Sequence, residues 1–332
     1  MAEKRVGIIT SWKDLASGLS IFSLKPHEGT SFPDYRAGQY IALTREGCKL
    51  TAKVKEADGR IHYPPALNED GTPRIGPVTH SYSIASAPFE TKVDGELAIY
   101  ITLEKLPDGR LGRLTEALFS GSHVGDSLGY VDRIVGNFTL DHRARDSGHV
   151  VMVGTGTGLA PFIGMMKQVA YEAEQGQTSE VKFTLIHANR TAGELAYDAE
   201  LRELNRRSKT PRGFAFQYVP SVSRPTPADE GDAELSQGRA NNLFRAILGL
   251  PTRENEVVGE LRATGSADLA AAEKAAVKST APKLASILDA GALRQRMPRD
   301  QTVVLTCGNA EGMEDIKRIA DKAGFKFEME EW

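Results

Sequence analysis

The residues with the clearest chemical meaning form a glycine-rich turn near the middle of the chain. The apolar stretch His149–Val153 is typical of a buried strand, and the turn follows it at once. Its residues are Gly154, Thr155, Gly156, Thr157 and Gly158, with Pro161 shortly after. Glycines leave backbone N–H groups open to phosphate oxygens, because no side chain blocks the approach. The turn predicts a cradle for a nucleotide pyrophosphate, although a tight connection without a ligand would also use such residues.

The spacing of these glycines differs from that of the usual dinucleotide-binding motif. That motif is G-x-G-x-x-G, whereas this turn is G-x-G-x-G followed by Ala160 and Pro161. A proline in this place fits the first turn of a helix. A plain dehydrogenase is therefore a poor match.

Composition restricts the chemistry further. The chain has 332 residues, a net charge of −3, 40% hydrophobic and 26% charged residues, which is ordinary for two soluble domains. Two cysteines cannot ligate an iron–sulfur cluster, and the seven histidines lack close metal-ligand spacing, so we expect no metal. Redox chemistry would then need an organic cofactor. Without an apolar run as long as a membrane span or a strong basic charge, we expect a cytoplasmic protein that binds no nucleic acid.

The two halves of the sequence differ in pattern. The first half has short β-rich segments, and in Leu97–Leu103 the apolar residues alternate, which predicts an antiparallel β-barrel. From about residue 149 strands and helices alternate, which predicts an α/β domain with a parallel sheet. We place the domains at 1–145 and 146–332. The stretches 47–78 and 254–299 read as insertions, which we interpret as surface elaborations.

A barrel followed by such a nucleotide domain resembles the ferredoxin–NADP reductase family. The family's flavin motif Arg-x-Tyr-Ser corresponds to His80, Ser81, Tyr82 and Ser83. The resemblance implies that Tyr82 packs on the isoalloxazine ring of FAD and that the Ser83 hydroxyl lies near flavin N5. Histidine replaces the family's arginine at position 80. Because histidine is only partly charged near neutral pH, binding of the flavin pyrophosphate would be weaker or shifted to other groups, with Arg110 and Arg113 as candidates.

A second segment resembles the helix start that holds the flavin pyrophosphate in this family. It consists of Gly112, Arg113, Leu114 and Thr115, and the stretch 109–112 offers a competing register. A helix N-terminus with a hydroxyl at its edge is a suitable place for an anion. These residues are expected to bind the cofactor.

Basic residues in the second half match the family's contacts to the 2′-phosphate of NADP. Arg190 ends the second strand, where an enzyme specific for NAD would place an acid. Ser223 with Arg224, and Arg239 after a glycine, resemble the other two contacts in bacterial members. The planar guanidinium binds phosphate oxygens in pairs, which favours NADP(H) over NAD(H).

The C-terminal part resembles the catalytic edge of the family. Cys307 and Gly308 match the strand end that lies beside the nicotinamide, although a free cysteine is more commonly a small buried apolar residue. Trp332 resembles the terminal aromatic residue that stacks on the flavin, and Glu330 a nearby carboxylate. The resemblance implies catalytic roles for Ser83, Cys307, Glu330 and Trp332.

Taken together, the resemblance implies a flavoprotein that accepts hydride from NADPH at flavin N5 and passes electrons to ferredoxin or flavodoxin. Two alternatives stay open. One is the reductase component of an oxygenase system, which shares the half-reaction with the nucleotide. The other is a regulatory subunit that binds flavin or NADP without turnover.

Overall fold

The computed structural model describes residues 3–56, 58–106, 108–121, 123–177, 179–208 and 214–330. The chain divides into two compact units, of which the first ends at Gly136 and the second begins at Asn137. Residues 137–145, which the sequence assigned to the first domain, belong to the second unit. The reason is side-chain packing, because the Phe138 ring lies 5.8 Å from that of Phe162 and Arg143 forms a 2.7 Å ion pair with Glu328.

The first unit is built on an antiparallel sheet. Its elements are β1 (Lys4–Ala16), β2 (Leu19–Pro26), β3 (Tyr40–Lys49), β4 (Val54–Lys55), β5 (Ile61–His62), β6 (Ile75–Ser83), α1 (Pro88–Asp94), β7 (Leu97–Thr102), α2 (Arg113–Phe119) and β8 (Ser127–Val135). Six strands pair in the order β6-β3-β8-β1-β2-β7. A bridge between Ile84 and Ile99 joins the two outermost strands. The predicted antiparallel barrel is confirmed.

Alternation along the strands fills the barrel with apolar side chains. Leu97, Ile99 and Ile101 share one face of β7 and are buried, as the period of two requires. Leu114 and Leu118 of α2 lie in the same core. Their spacing of four residues puts both on the same face of this short helix.

The second unit is an α/β domain. Its elements are α3 (Leu140–Arg143), β9 (His149–Thr155), α4 (Ala160–Glu174), β10 (Lys182–Asn189), α5 (Asp198–Arg207), β11 (Phe216–Val222), β12 (Ser236–Gln237), α6 (Ala240–Leu248), α7 (Arg253–Thr264), α8 (Leu269–Lys278), α9 (Ala290–Gln295), β13 (Thr302–Cys307), α10 (Ala310–Ala323) and β14 (Lys326–Met329). Six parallel strands follow the order β12-β11-β10-β9-β13-β14. The predicted parallel sheet is confirmed.

The strand order reverses at β9, which has β10 on one side and β13 on the other. In open parallel sheets, ligands bind outside the carboxyl ends of the strands at such a reversal. The residues that follow β9 and β13 therefore lie where a ligand site is expected. These are the glycine turn and the segment that begins at Cys307.

The two inserted stretches have different structures. Residues 47–49 and 75–78 belong to β3 and β6, and the hairpin of β4 and β5 lies between these strands. The stretch 254–299 forms most of α7 and all of α8 and α9. Within the described part of the chain, no helix is long and apolar enough to cross a membrane.

Candidate nucleotide and flavin sites

The three glycines of the central turn have different surroundings. Gly156 has a φ of +56°, and a Cβ atom added to it would meet nothing within 4 Å. A Cβ on Gly154 would press on the Gly158 carbonyl oxygen at 3.2 Å, and one on Gly158 would overlap the backbone of Cys307. Gly156 is therefore the glycine that leaves free space beside the turn, while the other two permit close packing. Pro161 lies in the first turn of α4, as the sequence predicted.

The glycine turn and the end of β13 lie backbone against backbone. Cys307 pairs with Gly154 in the parallel ladder, and the Cys307 carbonyl touches Gly158. Gly308 has a φ of +146°, and a Cβ on it would overlap the Thr155 hydroxyl. Two segments distant in sequence thus form one continuous edge. A side chain at Gly158 or Gly308 would separate them.

Cys307 and Glu330, two of the expected catalytic residues, are in direct contact. The Cys307 thiol donates to a Glu330 carboxylate oxygen at 3.2 Å, and both side chains are buried. Burial of the thiol, and then the negative charge of Glu330, raise the pKa of Cys307 well above its ordinary value. The thiol is therefore protonated at neutral pH. It can donate a hydrogen bond but cannot act as a thiolate nucleophile.

The three arginines expected at the 2′-phosphate follow adjacent strands. Arg190, Arg224 and Arg239 come just after β10, β11 and β12. The Arg224 backbone N–H donates to the Arg190 carbonyl at 2.8 Å, and that of Gly238 donates to Val222 at 2.8 Å. These bonds hold the loops side by side at the carboxyl edge. All three arginine side chains are substantially exposed.

Two of these arginines already have carboxylate partners. Arg190 contacts Glu194 through its Nε and Nη2 atoms, both at 3.0 Å, and Arg239 lies 3.4 Å from a Glu254 oxygen. Arg224 forms no ion pair within the described residues. Sequence reasoning missed both carboxylates. Glu194 follows Arg190 by four residues, so its sequence position offered a signal, whereas Glu254 gave none.

The flavin motif lies on β6, which pairs with β3. His80 and Ser81 are exposed, Tyr82 is half-buried against the barrel core, and Ser83 is buried. Burial, followed by the nearby Glu104 carboxylate, raises the pKa of Tyr82. The phenol is therefore neutral at physiological pH. Tyr82 offers a flat apolar surface with a polar end, and His80 is open to a ligand in solvent.

The start of α2 uses its side-chain hydroxyl internally. Thr115 Oγ1 donates to the Gly112 carbonyl at 3.1 Å and accepts from the Glu104 N–H at 3.2 Å. A Cβ on Gly112 would meet the Glu104 side chain, which sequence reasoning did not identify. The hydroxyl at this helix edge therefore shapes the loop instead of pointing to a ligand. The N–H groups of the first turn remain the donors available to an anion.

The two arginines considered as substitutes for the charge missing at His80 differ in their surroundings. Arg110 pairs with Asp108 at 2.6 Å and donates to the Tyr63 carbonyl at 2.7 Å. Arg113 lines a cavity of about 340 Å³ together with Arg45 and Lys49. Arg110 thus already has polar partners, while Arg113 shares its cavity with Glu46 and Glu116 as well as with the two cations. Trp332, expected to stack on the flavin, lies outside the described residues.

Comparison with known proteins gives matches in sequence and in fold. Residues 152–243 match the family described as the oxidoreductase NAD-binding domain. The flavohemoprotein of Bacillus subtilis (strain 168) is 23% identical over 227 residues, which are 68% of this chain and 45% of that protein. A flavodoxin/ferredoxin–NADP reductase of Rhodobacter capsulatus is 33% identical over 128 residues, 38% of this chain and 41% of that protein. The chain spans about half the length of the curated relatives it matches.

A solved structure extends the likeness to the fold of both units. The ferredoxin NADP+ reductase of Neisseria gonorrhoeae with bound FAD and NADP has a TM-score of 0.57 and 19% identity, with 99% of each chain covered. The sequence match to the oxidoreductase family includes the glycine turn and the ends of β10, β11 and β12. The chain therefore shares the fold of this reductase over both units, and residues 152–243 of the second unit match the oxidoreductase NAD-binding family.

Proposed function

We propose that the chain is an FAD-dependent reductase that exchanges electrons between NADP(H) and a one-electron carrier, ferredoxin or flavodoxin. The observation that carries the proposal is the continuous edge of the second unit. There the glycine turn and the Cys307–Glu330 pair meet at the reversal of strand order. FAD converts a two-electron donor into single-electron transfers when it is bound. The chain itself supplies alignment, hydrogen bonds and charge.

The nucleotide fits the second unit on structural grounds. The space beside Gly156 lets a phosphate approach the turn, and the first N–H groups of the following helix lack intrahelical partners. Arg224 has no carboxylate partner in the described part of the chain, so its guanidinium is available to a 2′-phosphate. Arg190 and Arg239 would have to exchange carboxylate contacts for phosphate contacts. We assign Arg224 the largest share of 2′-phosphate binding.

The flavin fits the first unit through β6 and α2. Tyr82 would provide the wall for the isoalloxazine ring, and Ser83 the hydroxyl next to it, since a hydroxyl can both donate and accept. The backbone N–H groups at the start of α2 would bind the pyrophosphate, with Arg113 and His80 as neighbours. Because the Thr115 hydroxyl is bonded within the loop, its role would be to fix these N–H groups in place.

The Cys307–Glu330 pair would act on the nicotinamide side of the reaction. A protonated thiol that donates to a buried carboxylate is held in a fixed position at this edge. Cys307 would thus position the ring by contact, and Glu330 would fix the thiol. The expected stacking of Trp332 on the flavin is part of the same proposal.

A second candidate acceptor is a separate haem protein, as in oxygenase systems. The flavohemoprotein match covers 68% of this chain, whereas two flavodoxin/ferredoxin–NADP reductase matches cover 52% and 38%. The same half-reaction with the nucleotide would serve either acceptor. The distinction therefore lies in the acceptor and not in the nucleotide site.

Stopped-flow spectrophotometry of the purified flavin-loaded protein tests the proposal. We expect the bleaching of flavin absorbance to be faster with NADPH than with NADH, and the reduced protein to be reoxidised by ferredoxin or flavodoxin. Equal rates and affinities for both nucleotides would contradict the assignment of the arginines. Reoxidation by a haem protein but by neither carrier would favour the second candidate. Protein that binds no flavin when supplied with FAD would refute the function altogether.

A further inference from the structure

The inserted stretch 254–299 touches the expected 2′-phosphate edge within the second unit. Thr280 donates from its hydroxyl to the Ser223 carbonyl at 2.8 Å. Gln237 and Lys283 exchange two backbone hydrogen bonds, of 2.8 and 2.9 Å. A Cβ on Gly238 would lie 3.0 Å from Pro282. The insertion therefore extends the edge that carries Arg224 and Arg239.

Glu254, in the first turn of α7, is the acidic residue that the insertion places on this edge. Its side chain is 16% exposed, and one carboxylate oxygen lies 3.4 Å from an Arg239 guanidinium nitrogen. The same oxygen accepts from the Ser279 hydroxyl at 3.1 Å, and the other accepts from the Asn242 amide at 2.7 Å. The carboxylate is held by two neutral donors besides the cation.

Asn242 fixes this carboxylate to the body of the domain. It is fully buried, and its side-chain carbonyl accepts from the Arg253 backbone N–H at 2.8 Å while its amide donates to Glu254. The start of α7 is thereby attached to α6. Arg239, by contrast, is 65% exposed and precedes α6 as its N-cap residue. The carboxylate is the fixed partner and the guanidinium the movable one.

We propose that Glu254 is an internal counter-ion of Arg239 that competes with the nucleotide 2′-phosphate and sets the preference between NADP(H) and NAD(H). The inference rests on the proposed nucleotide site. A phosphate on Arg239 would come within about two contact distances of the Glu254 carboxylate, where like charges near a protein surface repel by about 1 kcal/mol, or roughly fivefold in affinity. NAD(H), which lacks this phosphate, does not meet the repulsion.

The substitution Glu254→Gln tests this inference because it removes the charge, keeps one oxygen that accepts from the Asn242 amide, and places an NH2 group where it can donate to the Ser279 hydroxyl. Dissociation constants for NADP+ and NAD+ are measured by difference spectroscopy at low ionic strength. We expect Glu254→Gln to bind NADP+ about threefold to tenfold more tightly, with NAD+ affinity unchanged. Glu260→Gln is the matched control. It removes the same charge from α7, but Glu260 lies about 9 Å further along the helix than Glu254.

A double-mutant cycle with Arg239→Gln separates the inference from the proposed function. The gain from Glu254→Gln should disappear in the Arg239→Gln background, because the competing pair is then absent. If Arg239→Gln weakens NADP+ binding but Glu254→Gln has no selective effect, the inference fails and the nucleotide site stands. If Arg239→Gln and Arg224→Gln both leave NADP+ binding unchanged, the proposed site fails, and the inference with it.

The Glu260→Gln control tests whether any loss of negative charge has the same effect. If Glu260→Gln raises NADP+ affinity as much as Glu254→Gln does, net charge alone explains the gain and the inference is overturned. Urea denaturation of each variant checks that the fold is kept, and a variant that unfolds is replaced by Glu254→Ala.

Discussion

Arg224 is the residue on which recognition of the 2′-phosphate should depend most. It is exposed and forms no ion pair within the described residues, whereas Arg190 and Arg239 face Glu194 and Glu254. A hydrogen bond between charged groups contributes about 1.5 to 3 kcal/mol. We therefore expect Arg224→Gln to weaken NADP+ binding by about tenfold to a hundredfold and to leave NAD+ binding unchanged. Isothermal titration calorimetry with both nucleotides measures this.

The control for Arg224 is another exposed arginine of the second unit. Arg262 lies on the inserted helices and forms an ion pair with Glu273. The substitution Arg262→Gln removes the same charge as Arg224→Gln. An effect of Arg262→Gln as large as that of Arg224→Gln would mean that only the net charge matters. A larger effect of Arg239→Gln than of Arg224→Gln would contradict the ranking argued from the ion pairs.

Cys307 should act as a protonated donor and a spacer, not as a nucleophile. Burial and the Glu330 carboxylate raise its pKa, and its S–H donates to that carboxylate. Ser can donate in the same way and Ala cannot, so we expect Cys307→Ala to slow flavin reduction by NADPH up to about tenfold. Cys307→Ser should keep more of the rate. Stopped-flow measurement at saturating NADPH reports the step, and Cys48→Ala is the control for loss of a buried thiol.

The sequence indicated candidate site residues but not the side chains that contact them. Cys307 and Glu330 were both named, because each belongs to a motif that can be recognised on its own, and the structure brings them into contact. Glu254 was not identified, because its contact with Arg239 depends on how an insertion folds back on the sheet edge. The internal bond of the Thr115 hydroxyl was likewise invisible. The sequence gives the type of each side chain, whereas the groups that form hydrogen bonds or ion pairs with it depend on the tertiary structure.

At the scale of elements, the glycine turn has one position beside free space, Gly156, and two positions that permit close packing, Gly154 and Gly158. Gly156 has free space where a Cβ would go, so Gly156→Ala should weaken nucleotide binding by obstructing the phosphate. The positive φ of +56° adds about 1 kcal/mol of strain. Gly176→Ala is a matched control, because Gly176 follows α4 with a φ of +84° and also has nothing within 4 Å. Both variants should lose similar stability in urea denaturation, but only Gly156→Ala should lose NADP+ affinity. Equal affinities of the two variants would mean that no phosphate approaches Gly156.

The long strands and helices were readable from the sequence because their patterns are continuous. β9 is a buried apolar run, as expected for a parallel strand covered on both faces, and the proline that favours a first helical turn lies in the first turn of α4. β12 was not predicted, because two residues give no period to read. Its strand character comes from pairing with β11 and from the bridge to Lys283. Short edge strands are defined by their neighbours more than by their own residues.

At the scale of the whole molecule, each unit has its own apolar core. The barrel core contains residues such as Phe22 and Leu43, and the α/β core residues such as Val151 and Phe244. The sequence predicted two domains because its pattern changes: apolar residues alternate along the short strands of the first half, whereas strands and helices alternate in the second half. The exact division at Gly136 was not readable, because the packing of Phe138 on Phe162 joins residues far apart in sequence. Separate cores also allow the two units to differ in their response to pH.

Two buried histidines should make the second unit sensitive to acid. Burial lowers the pKa of His149 to about 4 and that of His187 to about 3, while the ordinary pKa of an exposed histidine is 6.5. His149 contacts the Arg296 carbonyl and, at 2.9 Å, the Thr184 hydroxyl, and His187 contacts the Tyr218 hydroxyl at 3.0 Å. As pH falls below 6.5, these histidines become protonated in the unfolded chain while they stay neutral in the folded chain. The free energy of unfolding therefore decreases between pH 6.5 and pH 4, and no further loss comes from His149 below its folded pKa.

The variant His149→Gln should reduce this pH dependence. It loses stability at neutral pH, because two buried hydrogen bonds are altered, but it no longer carries the protonation penalty. Each buried imidazole costs about 1.4 kcal/mol per pH unit within its window, so His149 should account for about 2 kcal/mol between pH 7.5 and pH 5. Urea denaturation followed by helical circular dichroism measures this, because most helices lie in the second unit. The exposed His27 provides the control, and His27→Gln should keep the slope of the unaltered protein. If His149→Gln lost as much stability on acidification as the unaltered protein, the carboxylates and not this imidazole would govern acid unfolding of the second unit.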